Sequence, residues 1–121
     1  MNREIKFRAW ANEHNRYCDF VTLNELGRWV GWIQTSGVYT TTTDIALEQC
    51  TGLKCEGRKE IYEGDILRYK GVDYIVAWEE TYACFEALTT DKVYWFSLSH
   101  LANFGEVVGN IHENPELLEV K

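Results

Sequence analysis

Apolar and polar residues alternate with a period of two at the start of the chain. Ile5, Phe7 and Ala9 interleave with Lys6, Arg8 and Trp10, the pattern of a half-buried strand. Asn12-Glu13-His14-Asn15 breaks that run and Arg16 to Phe20 returns, so residues 5–20 read as a β-hairpin. Thr22 to Gly27 is polar and loop-like. Trp29 to Ile33 and Val38 to Thr43 are rich in aromatic and β-branched residues and predict two more strands. Thr43-Asp44 ahead of Ile45-Ala46-Leu47-Glu48-Gln49 has the form of a helix cap and predicts one or two helical turns.

From Asp65 onward the pattern is that of short strands joined by tight turns. Ile66–Lys70 and Val72–Trp78 flank Gly71, and Cys84–Leu88, Val93–Leu98 and Glu106–His112 follow. Five strands within residues 65–112, with almost no room for helix, predict an all-β fold. Its architecture is a small antiparallel SH3-like barrel carrying an N-terminal β-hairpin extension. The Gly64-Asp65 opening and the Gly109-Asn110 close would bring the first and last of these strands together. After Asn114-Pro115, Leu117 and Leu118 are expected to fold back as a turn of helix.

The segment Gln49 to Tyr69 carries the most information. Thr51-Gly52 and Glu63-Gly64-Asp65 are tight turns in which glycine reaches positive φ without steric cost. Three blocks stand in a recognisable order. They are Ile5-Lys6-Phe7-Arg8-Ala9-Trp10, then Thr51-Gly52-Leu53-Lys54 with Ile61-Tyr62-Glu63-Gly64-Asp65-Ile66, and finally Glu106 to Leu118. Together they resemble the YopX-like family of small bacteriophage and prophage proteins. Cys55 stands where that family usually has an aspartate, and Cys50 where it has an aromatic residue. The resemblance implies an all-β architecture with an SH3-like barrel. It implies no activity, since none is established for the family.

Composition narrows the functional classes. At 121 residues the chain suits a single domain: an N-terminal β extension over 1–48, the motif turn and barrel over 49–112, and a tail over 113–121. Five Trp and seven Tyr supply large rings for the core. With no apolar span and a charged N-terminus, the expected location is the cytoplasm of a bacterial host. In that reducing compartment Cys18, Cys50, Cys55 and Cys84 are expected to be free thiols. Of the net charge of −7, none arises in residues 1–70, where ten basic and ten acidic residues cancel. Residues 71–121 hold Lys92 and Lys121 against nine acids, so that half would repel a phosphate backbone.

Candidate chemistry is sparse. Cys50 and Cys55 have no C-x-x-C mate or nearby histidine, so no metal site is expected. Glu60, Glu63 and Asp65 crowd one turn, but Asp65 after Gly64 is more simply a turn residue bonding local N–H groups. His14, His100 and His112 belong to no nucleophile motif, and no phosphate-binding glycine loop occurs, so neither catalysis nor a cofactor is expected. Gly52, Gly64, Asp65, Gly109 and Asn110 are assigned structural roles in turns. Trp29, Trp32 and Trp95 exceed what so small a domain buries and are candidate anchors for a protein partner or for self-association. Lys54, Arg58, Lys59, Arg68 and Lys70, near Trp10, Tyr62 and Tyr69, form an alternative nucleic-acid surface, although interleaved acids largely cancel it. The expected function is a non-catalytic phage accessory module that binds protein. The alternative is a nucleic-acid-associated barrel in phage replication or regulation.

Overall fold

A computed structural model describes residues 5–55 and 59–119. It is mostly β, with three antiparallel sheets, one of them a curled half-barrel, and one short α-helix. The chain forms two compact units, one over Lys6–Gln49 and the other from Cys50 onward together with Ile5.

In the Lys6–Gln49 unit, β1 (Phe7–Ala11) turns into β2 (Arg16–Tyr17) with Trp10 opposite Tyr17, the hairpin expected from the alternation. The other edge of β1 pairs with the first half of β6 (Ile45–Lys54), Phe7 opposite Gln49 and Ala11 opposite Ile45. The helical turns expected at 45–49 are therefore strand. Helix propensity over so few residues is weak, and pairing with β1 overrides it. The pairing sets Arg8 opposite Glu48, which is 6% exposed. Arg8 Nε lies 2.8 Å from Glu48 Oε1, and the Tyr17 hydroxyl donates to the same oxygen at 2.9 Å. The Arg8 guanidinium also sits 4.6 Å above the Tyr17 ring, whose edge meets Trp10. A buried carboxylate needs such partners in place of water, and Arg8 and Tyr17 supply them.

The second sheet of this unit has the order β3-β4-β5, formed by Phe20–Leu23, Trp29–Thr35 and Val38–Thr42. Residues 20–23, expected as the end of a hairpin and a loop, form β3 because Phe20 to Leu23 find partners along β4. Ile33, 1% exposed, points to the inner face. Gly31 is required there, because a Cβ would lie 2.3 Å from Cys18 Sγ.

The other unit holds the end of β6, β7 (Glu60–Tyr62), β8 (Asp65–Tyr69), β9 (Val72–Glu79), β10 (Cys84–Thr89), β11 (Trp95–Phe96) and β12 (Glu106–Asn110). The strands expected at 66–70, 72–78 and 84–88 are all present. The sheet order is β11-β10-β9-β8-β12, so the first and last strands of the segment do pair, Asp65 opposite Asn110. The strand expected over 93–98 shrinks to two residues because Ser97 caps helix α1 (Leu98–Phe104), its hydroxyl accepting from the His100 N–H. Leu98, Leu101 and Ala102 face inward at helical spacing and join Ile61, Leu67, Tyr74, Val76 and Ala87 in one core. His100 Nε2 lies 3.1 Å from the Tyr69 hydroxyl. The last strand ends at Asn110 rather than His112, and Pro115–Leu118 forms the expected turn as a 3-10 helix with Leu117 and Leu118 half-buried.

Candidate partner-binding surface

Strand alternation puts Phe20, Thr22, Val30, Trp32, Gln34, Tyr39 and Thr41 on the outer face of the β3-β4-β5 sheet. Phe20 lies directly opposite Trp32, and their rings stack at 5.6 Å with 13° between planes. Tyr39 meets both edge-on, at 5.6 Å and 6.4 Å. Trp32 Nε1 donates to Thr22 Oγ1 at 2.8 Å, so the indole's polar atom is satisfied within its own sheet. Phe20 and Tyr39 remain 45% and 46% exposed. No residue from Trp29 to Thr43 is charged. The result is a rigid aromatic cluster on an uncharged face, the composition of a protein-contact hot spot.

Of the three tryptophans singled out in the sequence, only Trp32 belongs to this cluster. Trp29, three residues earlier on β4, points to the other face, where its ring meets Phe7 at 5.1 Å. Trp95 is well exposed, but on β11 in the other unit. The sequence reading missed Phe20 and Tyr39. Their signal, two-residue alternation, places them on a shared face only once the strand register is known.

The motif residues do structural work. Gly52 and Gly64 both have φ of +85°. Gly64 sits in the turn expected there, whereas Thr51-Gly52, expected as a turn, lies within β6, where the positive φ falls at a shift of register against β7. Gly64 N–H donates to Val76 O and its carbonyl accepts from Ile111 N–H, each at 2.9 Å, tying β9 to the end of β12. Asp65, 2% exposed, accepts from Tyr62 N–H at 2.8 Å. Asn110 Oδ1 accepts from the N–H groups of His112 and Glu113, and Asn114 Oδ1 accepts from Asn110 N–H at 3.1 Å. A bulge at Val108 shifts the register so that Gly109 faces Ile66. Among the described residues, no buried side-chain nitrogen or oxygen lacks a partner.

The basic residues are divided and partly neutralised. Arg58 lies outside the described residues. Lys54 and Lys59 are exposed, and Lys54 lies opposite Glu60. Arg68 forms a two-pronged ion pair with Asp73, Nε to Oδ1 at 2.7 Å and Nη2 to Oδ2 at 3.1 Å. This hydrogen bonding raises the guanidinium pKa still further. Lys70 Nζ sits 5.3 Å from the Tyr69 ring centre. In the groove of about 510 Å³ beside Arg68, every other charged lining residue is acidic: Asp73, Asp91, Glu116 and Glu119. That lining is unfavourable for phosphate.

All four cysteines are free, with Cys50 and Cys55 buried. Burial pushes the Cys18 and Cys55 thiols up from their ordinary pKa, against smaller opposing effects from Arg16 on Cys18 and from a main-chain hydrogen bond at Val107 on Cys55. Among the described residues, no three His, Cys, Asp or Glu side chains gather as a metal site would need. No described helix is long and apolar enough to cross a membrane.

The three motif blocks agree with a family-level match. The family model of the YopX protein covers residues 6–119. The chain belongs to the YopX family. Among solved structures, this YopX-family chain is similar to protein EF1440 from Enterococcus faecalis, with a TM-score of 0.66 and 25% identity over 98% of this chain and 100% of that one. It is also similar to protein yopX from Bacillus subtilis, with a TM-score of 0.57 and 22% identity over 95% and 96%. No curated protein matches the sequence.

Proposed function

We propose that this YopX-family chain is a non-catalytic binding module of phage or prophage origin that acts in the bacterial cytoplasm by holding another protein chain. The observation that carries this reading is the uncharged cluster of Phe20, Trp32 and Tyr39 on an exposed sheet face. In this reading the five-stranded sheet is the scaffold, an SH3-like barrel whose motif turns are spent on folding. The residues of the nucleic-acid alternative favour it less, since Arg68 is held by Asp73 and Lys54 faces Glu60.

The two readings respond oppositely to salt. A complex anchored by aromatic rings survives at about three times physiological ionic strength, where the Debye length is roughly 5 Å, whereas phosphate binding collapses. The expected result is capture of a protein partner or a second copy at both salt concentrations, lost in a folded Trp32→Ala variant. No binding of single- or double-stranded DNA or RNA is expected at physiological salt. Submicromolar nucleic-acid binding, abolished by charge reversal of Arg58 and Lys59, would replace the protein-binding reading with the alternative.

A further inference from the structure

Among the described residues, no strand lies against the outer edge of β5. Ser36 and Gly37, which join β4 to β5, both have positive φ, 51° and 82°, as in a two-residue type I′ turn. Such a turn makes Thr35 and Val38 a hydrogen-bonded pair. By antiparallel alternation Ile33–Thr40 and Gly31–Thr42 are bonded too. The N–H and C=O groups of Tyr39 and Thr41 therefore point away from β4. Among the described residues, no backbone hydrogen bond outside the β4 ladder reaches Val38–Thr42.

The other edge strands lack this combination. β2 and β11 have two residues each, and β7 has three including Glu60. β12 carries Glu106 and the bulge, and β3 is flanked by Asp19. β5 is five residues long, regular and uncharged, with Val38 to Thr41 exposed. Edges are commonly blunted by charge, proline or a bulge, and this one has none of the three. On a chain of net charge −7, an uncharged strand is also where two identical copies can meet without like charges opposed.

We propose that β5 pairs antiparallel with β5 of a second copy about a two-fold axis at Thr40, joining two three-stranded sheets into one of six. This rests on the protein-binding reading and names its occupant as a second copy of this chain. Only one register uses the outward groups of both copies: Tyr39 of each lies opposite Thr41 of the other and exchanges two hydrogen bonds with it, four in all. Tyr39 and Thr41 then lie side by side across the junction, extending the aromatic face. Thr40 faces its own copy on the reverse side, an isologous contact of small β-branched residues.

Sedimentation velocity of the full chain from micromolar to millimolar concentration tests this, with the mass expected to rise from one toward two chains of 14.1 kDa. Thr40→Lys and Thr40→Glu each place like charges opposite one another at an exposed site. Each is expected to weaken association by about tenfold or more, and an equimolar mixture of the two to restore it. In the wild-type chain, amide exchange of Tyr39 and Thr41 should slow as concentration rises. A wild-type chain that stays monomeric, with those amides exchanging freely, overturns the proposal. So does a dimer that Thr40→Lys leaves intact, although that result places self-association elsewhere and leaves the binding-module reading standing. Failure of that reading would show instead as partner capture indifferent to Trp32.

Discussion

Substituting Gly109 with alanine tests how the β8–β12 corner is held. Gly109 does not have positive φ, so the cost is one of space. A Cβ at this position would lie 2.3 Å from Asn114 Oδ1, 2.5 Å from its Cγ and 3.0 Å from its Cβ. The contact reaches back to the Asn114 Cβ, so turning the amide end alone does not relieve it. Asn114 must move as a whole, and its 3.1 Å acceptor bond with Asn110 N–H goes with it. Overpacking costs about 1 to 2 kcal/mol and the lost hydrogen bond about 1 more, so Gly109→Ala should destabilise by about 2 to 3 kcal/mol. For a chain of this size that is a fall in Tm of about 6 to 15 °C. Asn114→Ala alone removes that bond and a long, exposed one from its Nδ2 to Glu116 Oε1 at 3.4 Å, about 1 kcal/mol in all. Asn114→Ala removes the amide that makes the two closest contacts and leaves the one to the Cβ, so Gly109→Ala/Asn114→Ala should cost clearly less than the sum of the two single variants. Urea unfolding followed by tryptophan fluorescence measures the cycle. Single-variant losses that simply add, within about 0.5 kcal/mol, would refute the steric account.

Gly64→Val should cost about 1 to 3 kcal/mol, because a β-branched residue cannot rest at φ of +85° and both main-chain groups of Gly64 are tied to neighbouring strands. Gly64→Asn, tolerant of that region, should cost less; equal losses in urea unfolding would remove strain as the cause. Cys18 and Cys55 hold their protons more tightly folded than unfolded, so their contribution to stability is present below the ordinary thiol value of 9.0 and is lost as pH rises through the raised folded value. Native alkylation at pH 8 should be slower at Cys55 than at a peptide thiol, and Cys55→Ala should flatten the alkaline loss of stability; rapid native labelling of Cys55 would contradict this.

The strands from Asp65 to Leu88 were legible because each is short, β-branched or aromatic, and bounded by a turn residue. The N-terminal hairpin was legible from alternation. Helix α1 was missed although Leu98, Leu101 and Ala102 follow helical spacing and Ser97 supplies a cap. The preceding Val93-Tyr94-Trp95-Phe96 is so β-prone that its pattern was carried on through Leu98. At Ile45–Gln49 the error ran the other way. A cap signal suggested helix, while the deciding partner, Arg8, lies 40 residues away. The aromatic face was hidden for a related reason. Phe20 and Tyr39 flank Trp32 in the fold, but nothing local sets the register that brings them together.

The pairing of β8 with β12 also has a consequence for synthesis. Asp65 and Asn110 are 45 residues apart, so at about 5 to 20 residues per second the edge strand completing β8 emerges about 2 to 9 s later. The β8–β9 hairpin can close within microseconds of its own emergence. Through the intervening seconds the nascent chain presents the far edge of β8, with Ile66 and Leu67 that the finished fold buries completely, to whatever else is being made nearby. The Gly109-Asn110 corner is thus the closing event of translation for this sheet, and a chain cut short of it would leave the ribosome with an open, apolar edge.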